Sequence, residues 1–145
     1  MNYTRGLALP MVLCTLVLAG CTAHGRVGTL PSLPNPEQAA EIVVIREWRF
    51  IGGAANLTVT LDGAPMYGIS TDEHVIIPVP PGDHVVGVVP RGLGVNEATV
   101  SVRTEARQRY YFRVETGSIY YPGPLLFPAA TSVGEALLAK TRQVR

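Results

Sequence analysis

Few residue sets in this chain have the types and spacing for chemistry. Asp72, Glu73, His74, Asp83 and His84 offer two imidazoles and three carboxylates, donor types that suit zinc. Their spacing matches no zinc signature, so they read as solvated turn residues and no metal site is assigned. Gly92-Leu93-Gly94 lacks the third glycine and the strand-to-helix setting of a nucleotide loop. The chain holds no Gly-x-Ser-x-Gly elbow, and a carboxylate pair for glycosidic chemistry needs a cleft that a domain of this size rarely provides. No catalytic residue and no cofactor is assigned, and the chain is not read as an enzyme. Trp48, Tyr110, Tyr111, Tyr120 and Tyr121 are suited to stacking on a glycan or a protein, because such rings offer flat apolar area with a polar tip. Neighbours on a strand point to opposite faces, so packing is the expected role of at least one of Tyr110 and Tyr111. Tyr120, Tyr121 and Pro122, followed by Gly123 and Pro124, form the candidate binding patch, since prolines disfavour a ladder and leave the rings near a loop.

One reactive group remains, the thiol of Cys21. Cys14, the other cysteine, lies in the apolar run Leu7 to Ala19, which follows a single basic residue, Arg5. That layout is a secretory signal, too short and too early broken by Pro10 to span a bilayer. No twin arginine is present, so general secretion is the expected route. The run ends in Leu18-Ala19-Gly20-Cys21, which resembles the lipobox of bacterial lipoproteins. The resemblance implies cleavage between Gly20 and Cys21, coupling of the Cys21 thiol to diacylglycerol, and acylation of the new amino terminus. Small residues admit the peptidase, and the thiolate is a strong nucleophile. Each buried methylene contributes about 0.8 kcal/mol, so two or three acyl chains hold a protein at a membrane permanently. Thr22 stands where an Asp would imply inner-membrane retention, so the implied address is the outer membrane, facing the periplasm. From Thr22 to about Gln38, Pro31, Pro34 and Pro36 interrupt any apolar period. The segment reads as a flexible tether of roughly 17 residues reaching about 50 Å at 3.1 Å per residue, with His24 a solvated linker residue.

The elements that must carry any site come next. The chain has 12 Lys+Arg against 11 Asp+Glu, and removing residues 1–20 takes away Arg5 and no acid. Such a neutral chain has no electrostatic footprint for nucleic acid. The 145 residues fit one domain, and 15 glycines and 12 prolines spread along them favour turns between short strands. Strands are predicted at Glu41–Phe50, Asn56–Asp62, Met66–Ser70, Glu73–Val79, His84–Val89, Val95–Arg103 and Gln108–Glu115, and seven strands with no helical pattern between them suggest a sandwich. Asp62-Gly63 is a tight hairpin turn and Pro80-Pro81-Gly82-Asp83 a second reversal. Ser132-Val133-Gly134-Glu135 matches a capping box, and Val133, Leu137 and Leu138 would line one side of a short C-terminal helix with Lys140 and Arg142 at its negative end. That helix would cover an exposed edge or open face of the sheet.

Val59 to Gly68 (VTLDGAPMYG) and Val75 to Val89 (VIIPVPPGDHVVGVV) together resemble the PEGA-type module, in Asp62, Gly63 and Gly68 and then Pro81, Gly82 and His84. The opening VVIREWRF and the later QRYYFRV are similar to small bacterial lipoproteins of unknown function built around such a module. The resemblance spans about Glu41 to Glu115. It implies a small transthyretin- or Ig-like antiparallel β-sandwich, mainly β with one short C-terminal helix, and it supplies no active site. The expected organisation is a signal peptide at 1–20, lipidated Cys21 and linker at 21–40, and a sandwich at 41–145. The expected function is a non-enzymatic interaction module. Its partners would be the membrane, through the lipid, and an envelope protein or peptidoglycan, with no nucleic acid. The alternative is a binder of cell-wall glycan or a small ligand through the Tyr120–Pro122 patch.

Overall fold

A computed structural model of the chain describes residues 25–48, 56–91, 97–116 and 123–145. Among these residues ten strands and one α-helix follow in order: β1 (Gly25–Arg26), β2 (Ala40–Arg46), β3 (Leu57–Leu61), β4 (Ala64–Ile69), β5 (Glu73–Val79), β6 (Gly82–Pro90), β7 (Ala98–Thr104), β8 (Arg109–Thr116), β9 (Pro124–Ala129), α1 (Thr131–Leu138) and β10 (Arg142–Gln143). They form two five-stranded sheets, ordered β1-β4-β3-β6-β7 and β10-β5-β2-β8-β9. The molecule is mainly β, a small sandwich with one short C-terminal helix. Its ladders are not all antiparallel: β2 pairs with β8, and β5 with β10, in parallel. Between β2 and β8 the chain builds β3, β4, β6 and β7 of the first sheet and β5 of the second, and a long connection of this kind is what a parallel neighbour requires.

Alternation selects the faces that meet. Leu57, Val59 and Leu61 of β3, Val86 and Val88 of β6, Ile42 and Val44 of β2, and Val75, Ile77 and Val79 of β5 fill the space between the sheets. Val43 and Ile45 of β2 point the other way and are also buried, with Tyr111 and Leu137, under α1. A central strand covered on both faces carries an unbroken apolar run, as IVVI does. The helix thus covers an open face. Gly134 makes this possible, since a Cβ there would overlap the Tyr111 ring on which the helix rests. Leu137 is buried beside it, whereas Val133 is 44% exposed.

Several expectations give way here. The capping box does not form: the helix starts at Thr131 with Ala130 as its cap and no side-chain cap bond. Ser132 falls inside the first turn because the chain enters the helix directly from β9, with the Gly134 N–H on the Ala130 carbonyl at 2.9 Å. Arg142 belongs to β10 and not to a helix end. Prolines did not prevent a ladder after residue 122, because Pro124 begins β9 and Pro128 lies within it, against Thr116 and Phe112 of β8. The first predicted strand stops at Arg46, and Trp48 beyond it is 62% exposed.

The proline-rich segment is docked from residue 25 onward. Gly25 and Arg26 pair with Gly68 and Tyr67 of β4, and the Val27 and Gly28 N–H groups both reach the Met66 carbonyl. A Cβ on Gly28 would overlap the Pro65 carbonyl, so the missing side chain permits the approach. Leu30 packs against the core, and a 3-10 turn at Pro36–Gln38 is held by Arg107 Nε donating to the Glu37 carbonyl at 3.2 Å. Leu30 and the β4 edge supply apolar contact and ladder bonds, which a reading of proline spacing alone does not weigh.

Candidate interaction surface

The core is closed at its two ends by polar pairs, one buried on both sides and one with only its histidine buried. At one end Arg46 and Glu73, each 2% exposed, lie opposite each other on β2 and β5. Arg46 donates to the Ile69 carbonyl at 3.3 Å, and Glu73 accepts from the Ser70 N–H at 2.8 Å, so both tie their own sheet to β4 of the other. Burial pulls Arg46 below its ordinary pKa while Glu73 pulls it up, and the net is downward. Arg142 joins Glu73 from the rim. At the opposite end His84 is held between Asp62 Oδ2 at 2.8 Å and the Pro80 carbonyl at 2.9 Å. Burial opposes its charge, but the bond to Asp62, the Pro80 carbonyl and the charges of Asp62 and Asp83 outweigh that, and its pKa is raised. Asp62 and Gly63 have φ of 51° and 78°, the paired positive values of a tight primed hairpin turn.

His74 lies elsewhere, under the end of α1, with Nδ1 2.8 Å from Thr141 Oγ1. The Thr141 hydroxyl donates to the Leu137 carbonyl, so His74 Nδ1 must be the donor to it. Burial lowers its pKa. Both histidines are therefore buried and bonded and not solvated as their turn positions imply, because each side chain turns in from the start of its strand. Among the described residues no three His, Cys, Asp or Glu side chains converge as a metal set.

The edges of the sheets differ sharply. β1 and β10, two residues each, cap β4 and β5. β9 carries Pro124 and Pro128, two positions apart in its alternation; a proline cannot donate to β8, so both sit where the N–H side faces outward, and this edge is blunted. β7 is the exception: seven residues without proline, paired with β6 on one side and with no strand among the described residues on the other. The Val85 N–H reaches Asp62 Oδ1 and its carbonyl accepts the Asp62 N–H, so both backbone groups of Val85 face β3. Its partner across the ladder, Ser101, then turns its own N–H and C=O to the open side, and by the two-residue period Thr99 and Arg103 do the same.

Below this edge, between β7 and the facing ends of β8 and β9, is a cleft of about 480 Å³ lined by Val100, Val102, Tyr110, Phe112 and Pro128 among others. Two polar side chains of its lining, Arg109 and Tyr110, are engaged already. Arg109 pairs with Glu41, and bonds first to Glu41 and then to Tyr111 hold its pKa above the ordinary value. The Tyr110 hydroxyl accepts the Glu105 N–H at 3.0 Å. Val100, Val102, Phe112 and Pro128 give the cleft apolar lining beside a row of outward backbone donors and acceptors, the geometry that receives an extended strand with alternate apolar side chains.

Of the sites read from sequence, Gly20, Cys21, Tyr120, Tyr121 and Pro122 lie outside the described residues. Tyr110 and Tyr111 point to opposite faces, one to the core between the sheets and one to the helix. The β7 edge escaped the sequence reading, since alternation in ATVSVRT marks a strand but not its place in a sheet. Among the described residues no helix is long and apolar enough to cross a membrane. No protein-family model matches the chain, and no curated protein matches it either.

Proposed function

We propose that this chain is a lipid-anchored bacterial envelope protein, held at the outer membrane through Cys21 and facing the periplasm, whose sandwich is a non-enzymatic interaction module. Its partner is another envelope protein that adds a strand along β7. The observation that carries this reading is the contrast among the four sheet edges: three are capped or blunted by proline, and among the described residues β7 alone offers a row of outward backbone groups, at alternate residues, above a partly apolar cleft. Leu18-Ala19-Gly20-Cys21 supports the anchor. A photo-crosslinking side chain at Ser101, in intact cells, should capture a discrete protein adduct identified by mass spectrometry. A label at Val133, exposed on the helix, is the control. Equal adducts from both positions, or peptidoglycan fragments and no protein, would remove the strand-addition reading; the second outcome would transfer the role to glycan binding through Tyr120, Tyr121 and Pro122.

A further inference from the structure

The site of anchoring constrains which surface of the sandwich meets the lipid. If Cys21 bears the acyl chains, the reading proposed above, only three residues, 22 to 24, separate it from Gly25, the first residue of β1. Four extended Cα–Cα steps reach at most about 14 Å, since a chain spans no more than about 3.6 Å per residue. The polar layer on one side of a bilayer is itself roughly 5–8 Å deep. Gly25 must therefore lie in, or just above, the headgroups.

Strand register identifies what else lies at that end. Gly25 pairs with Gly68, one residue before the end of β4. The last residues of β2 and the first of β5 meet there, Arg46 against Glu73, and Arg142 joins them as the partner of Glu73 in β10. Gly25, Glu73, Arg142, Val144 and Arg145 line one shallow depression of about 320 Å³. Trp48 sits beside it: its backbone N–H bonds Asp72 Oδ1 at 2.9 Å, while the Asp72 carbonyl accepts the Arg142 backbone N–H at 2.8 Å. The indole is 62% exposed, the most exposed large apolar side chain among the described residues. Arg26 and Arg145 are exposed too, and the Arg142 side chain is 78% exposed. Glu47, Asp72 and the buried Glu73 offset most of this charge, so attraction alone would not hold the domain down. The acyl chains do that, and the surface has only to suit the layer into which it is pulled. Tryptophan favours that layer because its ring is apolar with one polar N–H, and guanidinium groups match lipid phosphates with two donors. The opposite end, about 26 Å away along the eight steps of β6 at roughly 3.3 Å each, presents Asp62 and Asp83, with side chains 51% and 79% exposed, and Arg103 paired with Asp83.

We infer that the end of the sandwich bearing Gly25, Trp48 and Arg142 is the membrane-seated surface, resting in the phospholipid headgroup layer with Trp48 as its interfacial anchor. The domain stands upright on the bilayer with its Asp62 turn outermost, and β7 runs up its side.

Trp48 is the single tryptophan of the chain, so its fluorescence reports this surface alone. The mature protein, purified from membranes, is reconstituted into vesicles of phosphatidylethanolamine and phosphatidylglycerol (3:1), and its intact mass is measured in the same preparation. With Cys21 acylated, headgroup-attached nitroxide should quench Trp48 strongly and aqueous acrylamide weakly. A nitroxide at Ala106→Cys, on the far end, should stay open to aqueous relaxants. Arg26→Glu with Arg145→Glu should restore acrylamide access to Trp48. An acylated mass with Trp48 fully open to acrylamide and unquenched by lipid nitroxide would overturn the seating while leaving the anchor intact. A mass showing unmodified Cys21 would overturn the anchor and, with it, the seating.

Discussion

His84 faces two acceptors, a carboxylate and a carbonyl, and only the doubly protonated ring donates to both. Its raised pKa therefore has a stability consequence of fixed sign. A histidine with a folded pKa above its unfolded value of about 6.5 adds stability that is fully present below that pH and lost as pH rises through the folded value. His74 works in the opposite sense: its lowered pKa makes stability fall as pH drops below about 6.5. Asp62→Asn keeps a residue that tolerates positive φ before Gly63 but removes the charge. In that variant the His84 resonance should titrate at lower pH by NMR, and the alkaline loss of stability should shrink; an unchanged titration would refute the clasp. Gly134→Ala is expected to destabilise. The overlap with Tyr111 costs about 1–3 kcal/mol as overpacking, against a gain of about 1 kcal/mol in helix propensity. A lowered urea midpoint at unchanged m-value is the measurement.

At the scale of elements, the Arg46–Glu73 pair ties β2 and β5 to β4, and its members are not equivalent to the rim arginine. Glu73→Ala leaves Arg46 charged and buried, with an expected loss of about 3–5 kcal/mol. Arg142→Ala removes a pair whose basic side is solvated, with an expected loss of no more than about 1 kcal/mol. Chemical denaturation of both variants tests the contrast, and equal losses would contradict it. The β7 edge has its own signature. Ser101→Pro removes an outward N–H and no ladder bond to β6, so it should abolish crosslinking to the partner at nearly wild-type thermal stability. Retained adducts would exclude strand addition at this position.

For the whole molecule the chief expectation is topographic. Cys21→Ser, tested by fractionation with acyl labelling, should shift the protein from the membrane to the soluble fraction. Persistence at the membrane without acyl label would contradict the anchor. Under the proposed anchoring at Cys21, the docking of residues 25–28 on β4 leaves the domain little freedom to reach outward, and its partner is expected at the bilayer surface. A crosslinked partner confined to structures some 50 Å away would be inconsistent with this geometry.

Local order was legible in the sequence because it is set by neighbours. The two-residue alternation of Leu57, Val59 and Leu61 marked a strand, and Asp62-Gly63 marked a turn, since steric limits on φ act within a residue or two. Glu73–Val79 matched its predicted limits for the same reason. Seven strands without intervening helices were enough to imply a sandwich, and the lipobox resemblance of Leu18–Cys21 needs only four adjacent residues. Tertiary structure decided what depends on distant partners. Pro124 and Pro128 entered a strand because their missing donors faced away from β8, and Ser132 lost its capping place to the path of β9. Glu73 became buried because Arg46 awaited it 27 positions away in sequence, and His84 because Asp62 did, 22 away. The free edge of β7 and the shared end of Gly25, Trp48 and Arg142 belong to sheet order, which arises from burial summed over the whole chain and leaves no mark on any one segment.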